Sequence, residues 1–130
     1  MTGTPCLAPT GWPKTLLRLE GLAVLAAATV AYAQTGQSGW LFVILFFVPD
    51  LTMAAYLAGP RAGAAAYNAA HTYVAPLALG LAGYGAGRMP VVAVALIWIA
   101  HIGFDRALGY GLKYATGFGD THLGRIGRAR

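Results

Sequence analysis

Two of the chain's three histidines, His71 and His101, stand inside otherwise apolar runs, each with polar residues spaced to share its helical face. Tyr67 and His71 are i, i+4, as are His101 and Asp105, while Asn68 and His71 are i, i+3. A third apolar run carries Asp50 directly after Pro49. Imidazole nitrogens and carboxylate oxygens are ligands that a divalent ion such as zinc takes, with a water in the fourth position when the site is catalytic. Asp50, His71 and His101 are therefore candidate metal ligands, with Asp105 as a fourth ligand or as the group that orients His101. Zinc acidifies its bound water towards a pKa of about 7, which supplies a nucleophile for hydrolysis at neutral pH. Tyr67, Asn68, Asp105 and Arg106 are the candidate catalytic residues around it, Arg106 and Asn68 being suited to hold an anionic or carbonyl oxygen.

The elements that must position these residues are membrane helices. With 58% hydrophobic residues, 10% charged residues and a mean hydropathy of +0.60, the chain is too apolar for an ordinary soluble domain. Its apolar residues cluster into four runs, about 15–34, 40–58, 62–86 and 90–114. Each is close to the ~20 residues that cross a hydrocarbon core of ~30 Å. The expected architecture is all-α, a four-helix transmembrane bundle over residues 15–114 with short loops, an N-terminal tail at 1–14 and a basic tail at 115–130. Pro49 is expected to kink the second helix. The small residues from Gly63 to Ala70 place the third helix at the centre of the packing.

Charge fixes an expected orientation. Lys14, Arg18, Arg61, Lys113, Arg125, Arg128 and Arg130 fall on the side shared by the termini, whereas Arg88 marks the other. By the positive-inside rule both termini are expected to be cytoplasmic. The net charge of +5 is not gathered on a solvated face, and no nucleic-acid motif accompanies it. The expected partners are the lipid bilayer and a lipid-like small molecule, not nucleic acid. Lys14, Arg18 and the stretch to Ala31-Tyr32-Ala33-Gln34 resemble a cleavable signal peptide, but Glu20 interrupts the run early and the segment is read as a retained span.

A rise of ~1.5 Å per residue converts position into depth. From the far end, Asp50 lies about 15 Å down its helix and His101 about 16 Å down the last, while His71 lies about 13 Å up from the cytoplasmic end. These three share the midplane. Glu20, Tyr67, Asn68, Asp105 and Arg106 form a second layer, roughly 7–9 Å inside the cytoplasmic boundary. Arg106 is turned by ~100° from Asp105 and is expected to reach Glu20 or Asp50.

In order along the chain, Pro49-Asp50-Leu51, the stretch from Gly63 to His71, His101-Ile102-Gly103-Phe104-Asp105-Arg106, Gly109-Tyr110-Gly111-Leu112-Lys113-Tyr114 and Thr121-His122-Leu123-Gly124 resemble the small bacterial membrane proteins grouped as domain-of-unknown-function family 4260. The likeness runs from about Arg18 to Arg128. It implies a four-span integral membrane protein and no particular activity.

Chemistry must then decide the function. A charge at the membrane centre costs ~2.5–3.5 kcal/mol or more, whereas an interhelical hydrogen bond contributes only ~0.6–2 kcal/mol. That imbalance favours a functional site, and the leading reading is a membrane-embedded, metal-dependent, hydrolase-like enzyme. The alternatives are a proton or ion pathway through Asp50, His71, His101 and Asp105, and a structural polar network around a binding cavity. A bis-histidine haem on His71 and His101 is disfavoured by the neighbouring carboxylates. Ser38 and Cys6 are too far from the histidines to act as nucleophiles with them, and Thr116-Gly117-Phe118-Gly119-Asp120 resembles a potassium filter without a pore helix after it. For the tail, two readings stand: Asp120 or His122 capping the bundle against Lys113 or Arg61, or, preferred, basic residues resting on anionic lipid.

Overall fold

The computed structural model describes residues 9–112 and 120–125. Helix α1 runs over Gly11–Gln34, α2 over Gly39–Phe46, a 3₁₀ segment over Val48–Ala58, α3 over Pro60–His71, α4 over Val74–Gly85 and α5 over Met89–Leu108. A two-residue antiparallel pairing of β1 (Asp120–Thr121) with β2 (Gly124–Arg125) follows. The bundle is all-helical, and three of its stretches, Gly11–Gln34, Gly39–Ala58 and Met89–Leu108, are long and apolar enough to cross a membrane.

The second run is one candidate span made of two helix types. Pro49 has no N–H to return to Leu45, so beyond Phe47 the chain tightens to i→i+3 bonds, beginning with Asp50 N–H to the Phe47 carbonyl at 3.1 Å. A 3₁₀ helix rises ~2.0 Å per residue, and the combined segment reaches roughly 34 Å, enough for a bilayer core. At Pro49, where a kink is expected, the helix changes type.

The third run departs from the expectation of one helix over 62–86. Thr72 is extended (φ −99°, ψ 147°) and separates α3 from α4. The cause is Pro76, whose ring clashes with the carbonyl four residues back, at Thr72, unless the proline sits in a helix's first turn. It sits there, with Tyr73 as N-cap. Each half is 12 residues, or about 18 Å, and neither spans a bilayer core alone.

The packing centre is also elsewhere. Helices α1, α2 and α4 all pack against α5, whereas α3 packs chiefly on the 3₁₀ segment. The small residues of α3 serve that one neighbour: Gly63 lies so close under the Tyr56 ring that a Cβ there would collide with it. On the other side Gly21 of α1 faces Gly103 of α5. A Cβ on Gly103 would stand 2.8 Å from both the Gly21 carbonyl and the Leu25 amide. Backbones meet at that crossing.

Helix α5 ends at Leu108, six residues short of the expected limit at 114. Gly109 takes φ +91°, and the Gly109 and Tyr110 amides bond back to the Arg106 and Asp105 carbonyls at 3.0 and 2.8 Å. This is a Schellman stop, which glycine permits. The chain then folds back. His122 accepts from the Leu112 amide through Nδ1 (2.8 Å) and returns its own amide to the Leu112 carbonyl (3.0 Å), while Leu123 is buried. His122 is thus tied to the main chain at Leu112; the expected Lys113 partner, and Arg128 and Arg130 of the lipid reading, fall outside the described residues. Lys113, Tyr114, Cys6, Thr116–Gly119, Arg128 and Arg130 lie outside the described residues.

Candidate metal centre

Three chain segments converge on one point. Asp50 comes from the start of the 3₁₀ segment, His71 from the last residue of α3, and His101 and Asp105 from successive turns of α5. His71 Nε2 lies 3.1 Å from His101 Nε2, 3.2 Å from Asp50 Oδ1 and 3.4 Å from Asp105 Oδ2. His101 Nε2 lies 3.2 Å from Asp50 Oδ1 and 3.3 Å from Asp105 Oδ2. All four ligand atoms are within 4.8 Å of one another. A tetrahedral zinc ion with ligands at about 2.0–2.1 Å separates those ligands by about 3.3–3.4 Å, so the donor set has the size of one small divalent cation.

Hydrogen bonding argues for a cation on separate grounds. His71 Nδ1 is 2.8 Å from the Tyr67 carbonyl, an acceptor without a proton, so Nδ1 carries the hydrogen and donates. In the neutral ring Nε2 is then a bare lone pair, facing two carboxylate oxygens and a second imidazole. Only a proton or a metal ion at the centre makes that arrangement attractive, and an Nδ1–H bond to a main-chain carbonyl is a common support for a metal-ligating histidine. The C-terminus of α3, where His71 sits, adds the negative end of a helix dipole. His71 and His101 side chains are 2% and 1% exposed, Asp105 12% and Asp50 31%. Asp50 is thus the member of the cluster most open to approach from outside.

The supporting shell is specific. Tyr67 stacks on His71 with ring centroids 3.7 Å apart and planes within 7°, and its phenol donates to Asp105 Oδ2 at 3.5 Å. Phe46 meets the His101 ring edge-on at 5.2 Å. The break before α4 leaves the last carbonyls of α3 without helical partners, and α5 supplies them: Trp98 Nε1 donates to Ala70 O at 2.5 Å and Arg106 Nη2 to His71 O at 3.1 Å. Arg106 Nη1 also reaches the Tyr110 carbonyl at 3.2 Å.

Across residues 14–126 the chain matches the family model described as Domain of unknown function (DUF4260). It belongs to that family. No curated protein and no solved structure matches it. For this member of the DUF4260 family, two residues of the expected second layer, Asp105 and Tyr67, belong to the first. Asp105, four residues and about 6 Å of helix from His101, brings its carboxylate to the same point, and Tyr67 joins it there. Asn68 is half-buried on α3 beside this shell. Arg106 makes no ion pair with Glu20 or Asp50 among the described residues; its guanidinium serves carbonyls instead. Glu20 is exposed on α1 and lines a separate cavity of about 190 Å³ with Tyr73, Arg106 and His122. Sequence reasoning did not find Trp98. A tryptophan three residues before the α5 histidine, beside a helix broken by Pro76, was the available signal.

Proposed function

We propose that this protein is a membrane-embedded, metal-dependent hydrolase acting on a lipid-like substrate. One observation carries the reading: the His71 Nε2 lone pair, fixed by the Nδ1–H bond to Tyr67, points into two carboxylates and a second imidazole at 3.1–3.4 Å. Asp50, His71, His101 and Asp105 hold the ion, zinc being the choice that suits the nitrogen and oxygen donors and their spacing. When bound, such an ion supplies Lewis acidity and a water acidified towards neutral pH. Asp50, the most open ligand, marks the side from which substrate approaches. Tyr67, whose phenol donates to Asp105 Oδ2 at 3.5 Å, would be the proton donor to a departing oxygen. Asn68 offers an amide to the substrate oxygen, and Arg106 steadies the His71 end of α3.

In this reading α3 and α4 together complete a fourth crossing. Lys14, Arg18 and Arg61 then share one side and Arg88 stands on the other, which supports both termini facing the cytoplasm of a bacterial cell.

Metal analysis of the detergent-purified protein tests the proposal. About one zinc per chain is expected, lost in His71→Ala and His101→Ala, together with fatty-ester hydrolysis that a chelator abolishes and zinc restores. Freshly purified protein without metal, and with no gain in thermal stability on adding one, overturns it. The unbroken string of contacts from Asp50 through the two imidazoles to Asp105 favours a proton pathway as the second reading. Proton flux in liposomes that disappears in Asp50→Asn would select it.

A further inference from the structure

Beside the four-residue cluster lies a larger cavity of about 470 Å³, within the usual range for small-molecule sites. Leu45, Thr52, Ala66, Leu79 and Trp98 line it, so α2, the 3₁₀ segment, α3, α4 and α5 all contribute. Among the described residues its wall offers no free hydrogen-bond donor on a side chain. The Thr52 hydroxyl donates to the Pro49 carbonyl at 2.7 Å, and the Trp98 indole is occupied by the Ala70 carbonyl. A polar occupant would be left without partners, and water gains little there.

The mouth identifies the occupant. Val48, Ala69 and Val94 border the cavity and are exposed, and Val48 and Val94 belong to stretches apolar enough to cross a membrane. The opening is thus continuous with the surface those helices present to lipid hydrocarbon. At the inner end, Pro49 and Ala70 line the cavity and are the chain neighbours of Asp50 and His71. We propose that the cavity receives one hydrocarbon chain of a bilayer lipid, entering sideways between the 3₁₀ segment and α5, and that it ends with the lipid's ester beside the metal centre. The chain-binding half stands on the cavity alone; the assignment of an acyl ester as substrate rests on the hydrolase reading.

The test uses the full-length protein in nanodiscs with a trace of phosphatidylglycerol carrying a diazirine along one acyl chain. Photolysis and peptide mapping should place label on Thr52 and Trp98 in excess over Leu57, which is 94% exposed on the outer surface. Ala66→Leu, which fills the cavity, should lower that label about tenfold with Leu57 unchanged, and Thr52→Leu should do the same should the first variant fold poorly. Label spread evenly over Leu57, Thr52 and Trp98, or insensitive to both substitutions, overturns the proposal. Cavity label in a protein that binds no metal would sink the hydrolase reading and leave the chain site standing. Metal binding without cavity label would do the reverse.

Discussion

The Nε2 atoms of His71 and His101 face each other at 3.1 Å, buried, with a carboxylate oxygen on either side. Two neutral imidazoles can share one hydrogen across that gap, but they cannot also satisfy Asp50 and Asp105. The pair is therefore the sensitive point of the fold, and the first prediction concerns it. His101→Ala should abolish stoichiometric zinc, whereas Asp50→Asn, removing charge from the most exposed ligand, should weaken it about 10–100-fold, as read by competition with a chromophoric chelator. Equal zinc content in wild type and both variants would refute the ligand assignment.

Arg106 and Trp98 close the carbonyls that the Pro76 break leaves open. Removing either donor exposes a partly buried acceptor at a cost of about 1–3 kcal/mol. Trp98→Phe and Arg106→Gln should each lower the midpoint of thermal unfolding. Arg106→Lys should rescue little, because one ammonium cannot copy a guanidinium that spans the His71 and Tyr110 carbonyls. Full rescue by lysine would show that charge alone matters there.

Gly103→Ala should destabilise the α1–α5 crossing by about 1–3 kcal/mol, since its new methyl would meet main-chain atoms of Gly21 and Leu25 that cannot rotate away. Gly80→Ala is the control. Its Cβ would meet only the Ala95 methyl, at 3.2 Å, and a smaller loss is expected from the same unfolding measurement.

Docking of the tail should depend on pH. Burial, with the Arg106 charge adding to it, holds the His122 imidazole below its ordinary 6.5. The folded form thus prefers the neutral ring whose Nδ1 accepts from Leu112. That stabilisation is fully present above the unfolded value of 6.5 and is lost as the pH falls on through the lowered folded value. Hydrogen exchange at the Leu112 amide, corrected for intrinsic rate, should show protection at pH 8 that disappears towards pH 5. His122→Asn, which keeps an acceptor but cannot titrate, should flatten the profile.

Residue spacing made part of this legible. Hydropathy marked the apolar runs, the i, i+4 pairs marked the faces of Tyr67/His71 and His101/Asp105, and depth counting brought Asp50, His71 and His101 to one level. What it obscured follows from treating every run as a straight α-helix. Pro76 breaks the third run, Pro49 stretches the second, and Gly109 stops the last, each through a backbone constraint that a hydropathy window averages away. A rise per residue also ignores side-chain length, which is why depth counting puts Asp105 in another layer although its carboxylate covers the remaining distance. Packing partners such as Trp98 depend on where a broken helix leaves open carbonyls, and that is a tertiary fact.

The centre draws on segments far apart in synthesis. Asp50 and His71 are 21 residues apart, and His71 and His101 are 30 apart. During translation Asp50 and His71 are made before α5, and until α5 is made the cluster lacks half its donors. A metal ion held by all four residues would therefore bind only the completed chain. Binding the completed chain more tightly than the partial one, it would act as a latch that secures α5 against the earlier helices.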